Sequence, residues 1–265
     1  MATSQRTIIA VPGAEYLAAD QLDVFAQLHQ RDFHVVLMDC DPEGADAQLE
    51  PNWQPSQNQA DFEARIDLLS AAILAERAQN REVHLFGVGL GATLCVAAAA
   101  RHRDIASLTV LAGWATSDRL LREHIDTHWA LWDQNPELAQ RHSSLLEVSA
   151  QYRRNLGPFY DPTIPVVPVA TPLVLRRLST AYHVDITEPA GEVRCRTVVI
   201  ALTRDSKIPR DHSYELFAAI PGSTLVRIEA GHGALLERLS EVVAIHLQAI
   251  GGHLAPGVHP SPVHA

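Results

Sequence analysis

Short runs of uninterrupted apolar residues alternate along this chain with stretches whose apolar residues return every three or four positions. Thr7–Val11 is the first run, stopped by Pro12-Gly13, and reads as a buried strand entering a turn. Leu22, Phe25 and Leu28 keep helical spacing, and His34–Met38 is a second buried strand. Asp41–Gln59 carries Pro42, Pro51 and Pro55 with few apolar residues, which predicts a loop. Phe62, Ile66, Leu69 and Ile73 fall on one helical face. Val83–Phe86 predicts a strand, Leu90–Ala100 a helix of small residues, and Ser107–Leu111 another strand. Strands that are apolar throughout and alternate with helices imply a parallel sheet covered on both faces.

The alternation stops between Thr116 and Tyr182. Helical stretches around Leu120–Trp132 and Pro136–Leu156 are followed by a proline-punctuated segment, Pro158–Pro172. Six aromatics gather here: Trp129, Trp132, Tyr152, Phe159, Tyr160 and Tyr182. The alternation resumes with strand Thr197–Leu202, a helix near His212–Ala219, strand Thr224–Ile228 and a last helix from Ala234 to Ile250. The expected organisation is an α/β core over 1–114 and 183–250, a helical lid over 115–182, and a disordered tail over 251–265 that holds His253, His259 and His264. No internal repeat is found.

Composition narrows the function classes. The 265 residues carry 47% hydrophobic and 20% charged side chains, ordinary for a globular chain able to bury a sizeable core. The net charge of -10, without a basic stripe, argues against nucleic acid as partner. Lys207 is the only lysine among 21 basic residues, a bias that suggests a GC-rich bacterial genome. Cys40, Cys95 and Cys195 are odd in number and far apart, as reduced thiols of a cytoplasmic protein are, with neither a disulfide framework nor a zinc spacing. Met1–Arg6 is short and polar and no long apolar run follows, so neither a signal peptide nor a membrane span is expected. No cofactor is expected; the sequence permits a homodimer and does not specify one.

The chemistry lies at strand ends. Phe86-Gly87-Val88-Gly89-Leu90-Gly91 sits between a strand and a small-residue helix. Downstream, Ala201-Leu202-Thr203-Arg204-Asp205 ends a strand, and Ile220-Pro221-Gly222 precedes the next. Gly231-His232-Gly233 follows that one, with Glu237 shortly after. In this order the motifs resemble those of the α/β-hydrolase superfamily, esterase- or thioesterase-like, where a G-x-S-x-G elbow is followed by an acid and then a histidine. The resemblance runs from Thr7 to Ile250 and implies the α/β-hydrolase fold, a mostly parallel sheet with helices on both faces and a helical lid. The chain departs from the pattern in three places. Gly89 stands where the nucleophilic serine is expected. The oxyanion loop reads Pro12-Gly13-Ala14-Glu15 instead of beginning His-Gly. Few residues precede the first strand, so the N-terminal β-hairpin of many esterases is expected to be missing, as in minimal thioesterase-like members.

Without a hydroxyl at position 89 there is no acyl-enzyme route, and Cys95, six residues on, reads as a buried structural thiol. Glycine adopts the strained elbow conformation freely, and Val88, where relatives often carry a polar or aromatic residue, suggests natural divergence. The resemblance implies that Asp205 orients His232, leaving the other ring nitrogen as general base, with the backbone N–H groups of Ala14 and Leu90 as oxyanion donors. The competing reading of His232 and Asp205 is a retained buried hydrogen-bonded pair. Asp118 is a second candidate for the acid. Glu15 and Tyr16 follow the oxyanion turn and either reach the pocket or form a solvated loop pair. Gly13, Val88, Trp114, Trp129, Trp132, Tyr152 and Phe159 complete the candidate pocket, although aromatics of such a segment are more often core. His124 and His128 stand four apart as a metal pair would, but no third ligand has matching spacing, and no metal is expected.

Three functions remain open. The leading one is a non-hydrolytic lyase, cyclase or oxygenase acting on a small hydrophobic, aromatic or polyketide-like metabolite of secondary metabolism. In it the His-Asp dyad and oxyanion donors serve cyclisation, elimination, decarboxylation or cofactor-free oxygenation. The others are residual ester or thioester hydrolysis by a His232-activated water, and a non-catalytic ligand-binding or interaction subunit. Fold alone does not choose among them.

Overall fold

The computed structural model describes residues 6–16, 18, 33–46, 48–49, 53–55, 61–159, 161 and 166–259. The expected helical spacing at Leu22, Phe25 and Leu28 and the side chain of Tyr160 lie outside them. Among the described residues the elements run β1 (Arg6–Val11), β2 (His34–Leu37), α1 (Asp61–Ala78), β3 (Glu82–Val88), α2 (Leu90–Arg101), β4 (Ser107–Leu111), α3 (Arg119–Gln134), α4 (Pro136–Glu147), α5 (Ala150–Leu156), α6 (Pro172–Tyr182), α7 (Thr187–Glu192), β5 (Arg196–Leu202), α8 (Arg210–Ala219), β6 (Thr224–Ile228), α9 (Ala234–Glu237), α10 (Leu239–Gly251) and β7 (Gly257–His259). The strands form one sheet in the order β2-β1-β3-β4-β5-β6-β7, and every adjacent pair is parallel.

Alternate residues of each strand feed two separate cores, which is why the strands are apolar without interruption. Ile9, Val11, Leu85, Val110, Val199 and Leu225 join the core that also holds Ile66, Leu69 and Ile73 of α1 and the small residues of α2. Ile8, Ala10, Phe86, Leu111, Ile200 and Val226 point to the opposite face, where Val242, Ile245 and Ala249 of α10 cover them. Cys95 is fully buried in the first core, and burial pushes its thiol well above the ordinary range. No helix of the described residues is long and apolar enough to cross a membrane.

The sheet changes direction of winding between β1 and β3: β2 lies outside β1, and every later strand is added beyond β3. Ligand crevices of parallel sheets open at such a point, beyond the carboxyl ends of the strands. Pro12-Gly13-Ala14 follows β1 and Gly89 follows β3 at this place.

Three boundaries differ from expectation. The helix expected over Pro136–Leu156 is two helices, because Ser149 caps the second, its hydroxyl accepting from Tyr152 N at 3.0 Å. The last helix is interrupted at Arg238, whose backbone (φ -142, ψ 35) is not helical. The segment expected to be disordered is ordered through His259: Gly252 (φ 70) stops α10 and Gly257–His259 pairs in parallel with Thr224–Val226. The open backbone edge of β6 accepts that strand through main-chain hydrogen bonds, which ask little of side-chain type.

Candidate active site

Four loops at the carboxyl edge of the sheet supply the site. At the first, Gly89 (φ 52, ψ -120) caps α2 and its N–H donates to Leu111 O at 2.9 Å. The glycines around it differ in what they permit. A Cβ at Gly87 would stand 2.4 Å from Ala92 Cα, and one at Gly91 would stand 2.3 Å from Val11 O. Those two positions are glycine because backbone approaches backbone. At Gly89 the nearest atoms to a Cβ would be Gly13 Cα at 3.7 Å and His232 Cε1 and Nε2 at 3.8 Å, ordinary contacts. Space therefore does not exclude a side chain there; only the positive φ favours glycine. Leu90 N opens α2 and is one of the donors a helix start leaves without an intrahelical partner.

The dyad comes from the loops after β5 and β6. His232 Nδ1 and Asp205 Oδ2 are 2.8 Å apart, and the Asp205 carboxylate is fully buried. Its other oxygen accepts from Lys207 N and Ile208 N, both at 2.8 Å, which fixes the carboxylate orientation. Burial pushes the His232 ring down, but the charge and hydrogen bond of Asp205, with the charge of Glu147, outweigh it and leave the pKa above the ordinary histidine value. Asp118 lies elsewhere. It caps α3, accepting from Leu121 N at 2.7 Å, and approaches His212 instead of His232.

A cavity of about 110 Å³ lies over these groups. The expected Gly13, Ala14, Glu15, Tyr16, Val88, Gly89, Leu90, Trp114 and His232 line it, together with apolar side chains such as Leu121, Ile125, Leu178 and Leu235. Trp129, Trp132, Tyr152 and Phe159 do not. Trp129 stacks on Trp132 at 5.4 Å and meets Trp53 edge-on at 5.0 Å, in a separate cluster with Ala170, Val174 and Leu175. They lie one to two turns of α3 beyond Ile125 and pack there against Trp53 and the start of α6, with Trp132 Nε1 donating to Ala170 O at 2.8 Å. Phe159 is 88% exposed, and Tyr152 is half-buried on α5.

Several site residues carried no motif. Lys207, two positions after Asp205, is buried, and its Nζ donates to Glu15, to Ser143 Oγ at 2.7 Å and to Glu147 Oε2 at 2.7 Å. Tyr16 OH donates to the other oxygen of Glu147 at 2.8 Å, and Ser143 donates to Glu15. Glu15 and Tyr16 are thus pocket residues and not a solvated loop pair. Burial pushes the Lys207 ammonium down, but Glu147 and Glu15 more than reverse this. Burial likewise raises Glu15, and Lys207 pulls it below the usual carboxylate range. The histidine loop is tied to the same helix end: Gly233 N donates to Glu147 O at 2.7 Å, and Glu237 accepts from Gly231 N at 3.1 Å and Ser149 Oγ at 2.7 Å. The unique lysine on the acid loop was the one sequence signal available for this cluster. His124 lines the cavity and burial lowers it to about 4; His128 is buried beside it. Among the described residues no group of three or more His, Cys, Asp or Glu is arranged to hold a metal.

No protein-family model and no curated protein matches the sequence. Solved structures do match. An α/β-hydrolase enzyme from a Medee basin deep-sea metagenome library aligns with a TM-score of 0.74 at 16% identity, over 95% of this chain and 91% of that one. An enol-lactonase from Burkholderia xenovorans gives 0.68 at 17%, over 93% and 91%. An esterase from Exiguobacterium antarcticum gives 0.72 at 11%, over 94% and 93%. With these matches along nearly its whole length, and a parallel sheet whose strand ends carry the elbow turn, the acid and the histidine in that order, the chain has the α/β-hydrolase fold.

Proposed function

We propose that this chain is a non-hydrolytic enzyme in which His232, oriented by Asp205, transfers a proton on a small hydrophobic metabolite. The N–H groups of Ala14 and Leu90 hold the oxyanion that develops. The observation that carries the reading is the combination at Gly89: an elbow turn with no nucleophile, whose missing side chain would have been in contact with the His232 ring. The dyad supplies a base stronger than free imidazole, and the apolar cavity lowers the dielectric around it. Cyclisation, elimination, decarboxylation and cofactor-free oxygenation each need such a base and an oxyanion site. The lid role of the helices between β4 and β5 belongs to this proposal, since Leu121, His124 and Ile125 of α3 form one wall of the cavity.

Comparative metabolite profiling tests it, because the substrate then reveals itself by accumulating. A strain deleted for the gene should build up the substrate, and wild-type protein should clear it. His232→Ala should not, because loss of a general base costs ~10²–10⁴ in rate. Clearance by a folded His232→Ala variant at the wild-type rate would overturn the assignment. The room beside Gly89 also favours a second reading, in which His232 activates a water there. His232-dependent hydrolysis of p-nitrophenyl acetate by the wild-type chain would favour that reading.

A further inference from the structure

The cluster of Lys207, Glu15 and Glu147 touches no reacting atom of the proton transfer proposed above, although the charge of Glu147 helps hold the His232 pKa up, and it forms part of the cavity wall. All three donors of Lys207 are in use, on Glu15, Ser143 and Glu147. A saturated ammonium held above the ordinary lysine range is neither a base nor an amine nucleophile. What it contributes is charge, and it offsets only one of its two carboxylates. The hydrogen bonds from Tyr16 to Glu147 and from Ser143 to Glu15 satisfy oxygens without adding a positive charge.

The remaining titratable groups facing this space do not restore balance. His124 is neutral near pH 7, since burial lowers it to about 4, and burial lowers His128, the other histidine acting on Glu15, as well. The pair of His232 with the buried Asp205 behind it is neutral when the ring carries a proton and negative when it does not. Two carboxylates against one ammonium leave one negative charge, and Asp205 adds a second whenever His232 is neutral. This excess sits in a wall whose other side chains are mostly apolar, Leu121, Ile125, Leu178 and Leu235 among them. A ligand that fills the cavity displaces water and removes the screening of that charge. An anionic ligand is repelled and a neutral one leaves the charge unbalanced. A cationic one balances it.

We infer that the ligand of this cavity is a hydrophobic molecule bearing a protonated amino group, and that its ammonium lies against Glu15 and Glu147. The inference rests on the cavity being the ligand site of the proposed function. It also removes a difficulty in that function, because an ammonium on the ligand offsets the oxyanion that forms when His232 removes a proton.

Calorimetric titration of the full chain at pH 7 with 2-phenylethylamine, 2-phenylethanol and phenylacetate tests it. The three probes share an aromatic body and differ in charge. The amine should bind at least about tenfold tighter than either of the others. Glu15→Gln keeps an acceptor for Lys207 and removes one negative charge, so it should bring amine and alcohol to within about threefold. Glu147→Gln makes the same test if Glu15→Gln melts early. No binding of the amine, equal or tighter binding of the alcohol or carboxylate, or an undiminished amine preference in a folded glutamine variant overturns the inference. The readout needs no turnover. Amine preference that survives while His232→Ala still clears the metabolite would therefore sink the catalytic reading and leave this one standing.

Discussion

Replacing Gly89 with serine asks whether the proposed dyad is placed to activate a nucleophile at the elbow. The structure sets the cost of the substitution. A Cβ at position 89 meets its nearest neighbours at 3.7–3.8 Å, so the penalty is the positive φ of 52° and not a clash. Strain of that kind costs ~1–3 kcal/mol. At about 2–4 °C per kcal/mol for a domain of this size, the melting temperature should fall by about 2–12 °C. Gly87→Ser and Gly91→Ser are the controls, because their Cβ atoms would stand 2.4 and 2.3 Å from backbone atoms. Each should cost more than about 4 kcal/mol, the range of severe core disruptions. In Gly89→Ser the Oγ extends from a Cβ placed 3.8 Å from His232 Nε2, within reach of the base. A fluorophosphonate probe should then label position 89, detected by intact-protein and peptide mass spectrometry, whereas wild type stays unlabelled. Labelling should disappear in the Gly89→Ser, His232→Ala double variant. A folded Gly89→Ser protein that resists acylation would show that the dyad does not serve the elbow, and the placement of the base would be withdrawn.

Two further outcomes follow from buried groups. His84 of β3 and His246 of α10 are buried with Nε2 atoms that lack a hydrogen-bond partner among the described residues, and burial holds their pKa values at about 4 and about 3. Both are depressed below the ordinary value of about 6.5, so the unfolded chain binds protons first. Their stabilisation is present above pH 6.5 and is lost as the pH falls toward 4, by about 2–3 kcal/mol each at pH 4.5. Urea denaturation between pH 7 and 4.5 reads this, and an unchanged acid slope in His246→Gln would contradict it. Lys207→Met should destabilise the protein by about 3–5 kcal/mol, since two buried carboxylates lose the cation they share. A change below about 1 kcal/mol in urea denaturation would show that the cluster is not a coupled unit.

Much of this protein follows from local pattern. Strands β1, β3, β4, β5 and β6 lie within one or two residues of where the apolar runs place them, because a strand buried on both faces must be apolar at every position. The elbow, the acid and the histidine were legible for a related reason: each sits at a strand end, where a turn residue and a reactive residue occur side by side in the chain. The tertiary structure alone decided what those ends face. Glu15 meets Lys207 across 192 positions and Glu147 meets it across 60, and no periodicity relates them. Trp129 and Trp132 were equally apolar candidates for pocket or core, and the meeting of α3 with Trp53 and α6 drew them into a separate cluster away from the cavity. Gly257–His259 became a strand because the edge of β6 offered unpaired backbone, although nothing in its own side chains announces one. Local spacing specifies backbone conformation, since hydrogen bonding and burial repeat with a fixed period. Partners for a lone charge, an aromatic ring or a sheet edge come from the meeting of distant segments, and only the packed chain determines them.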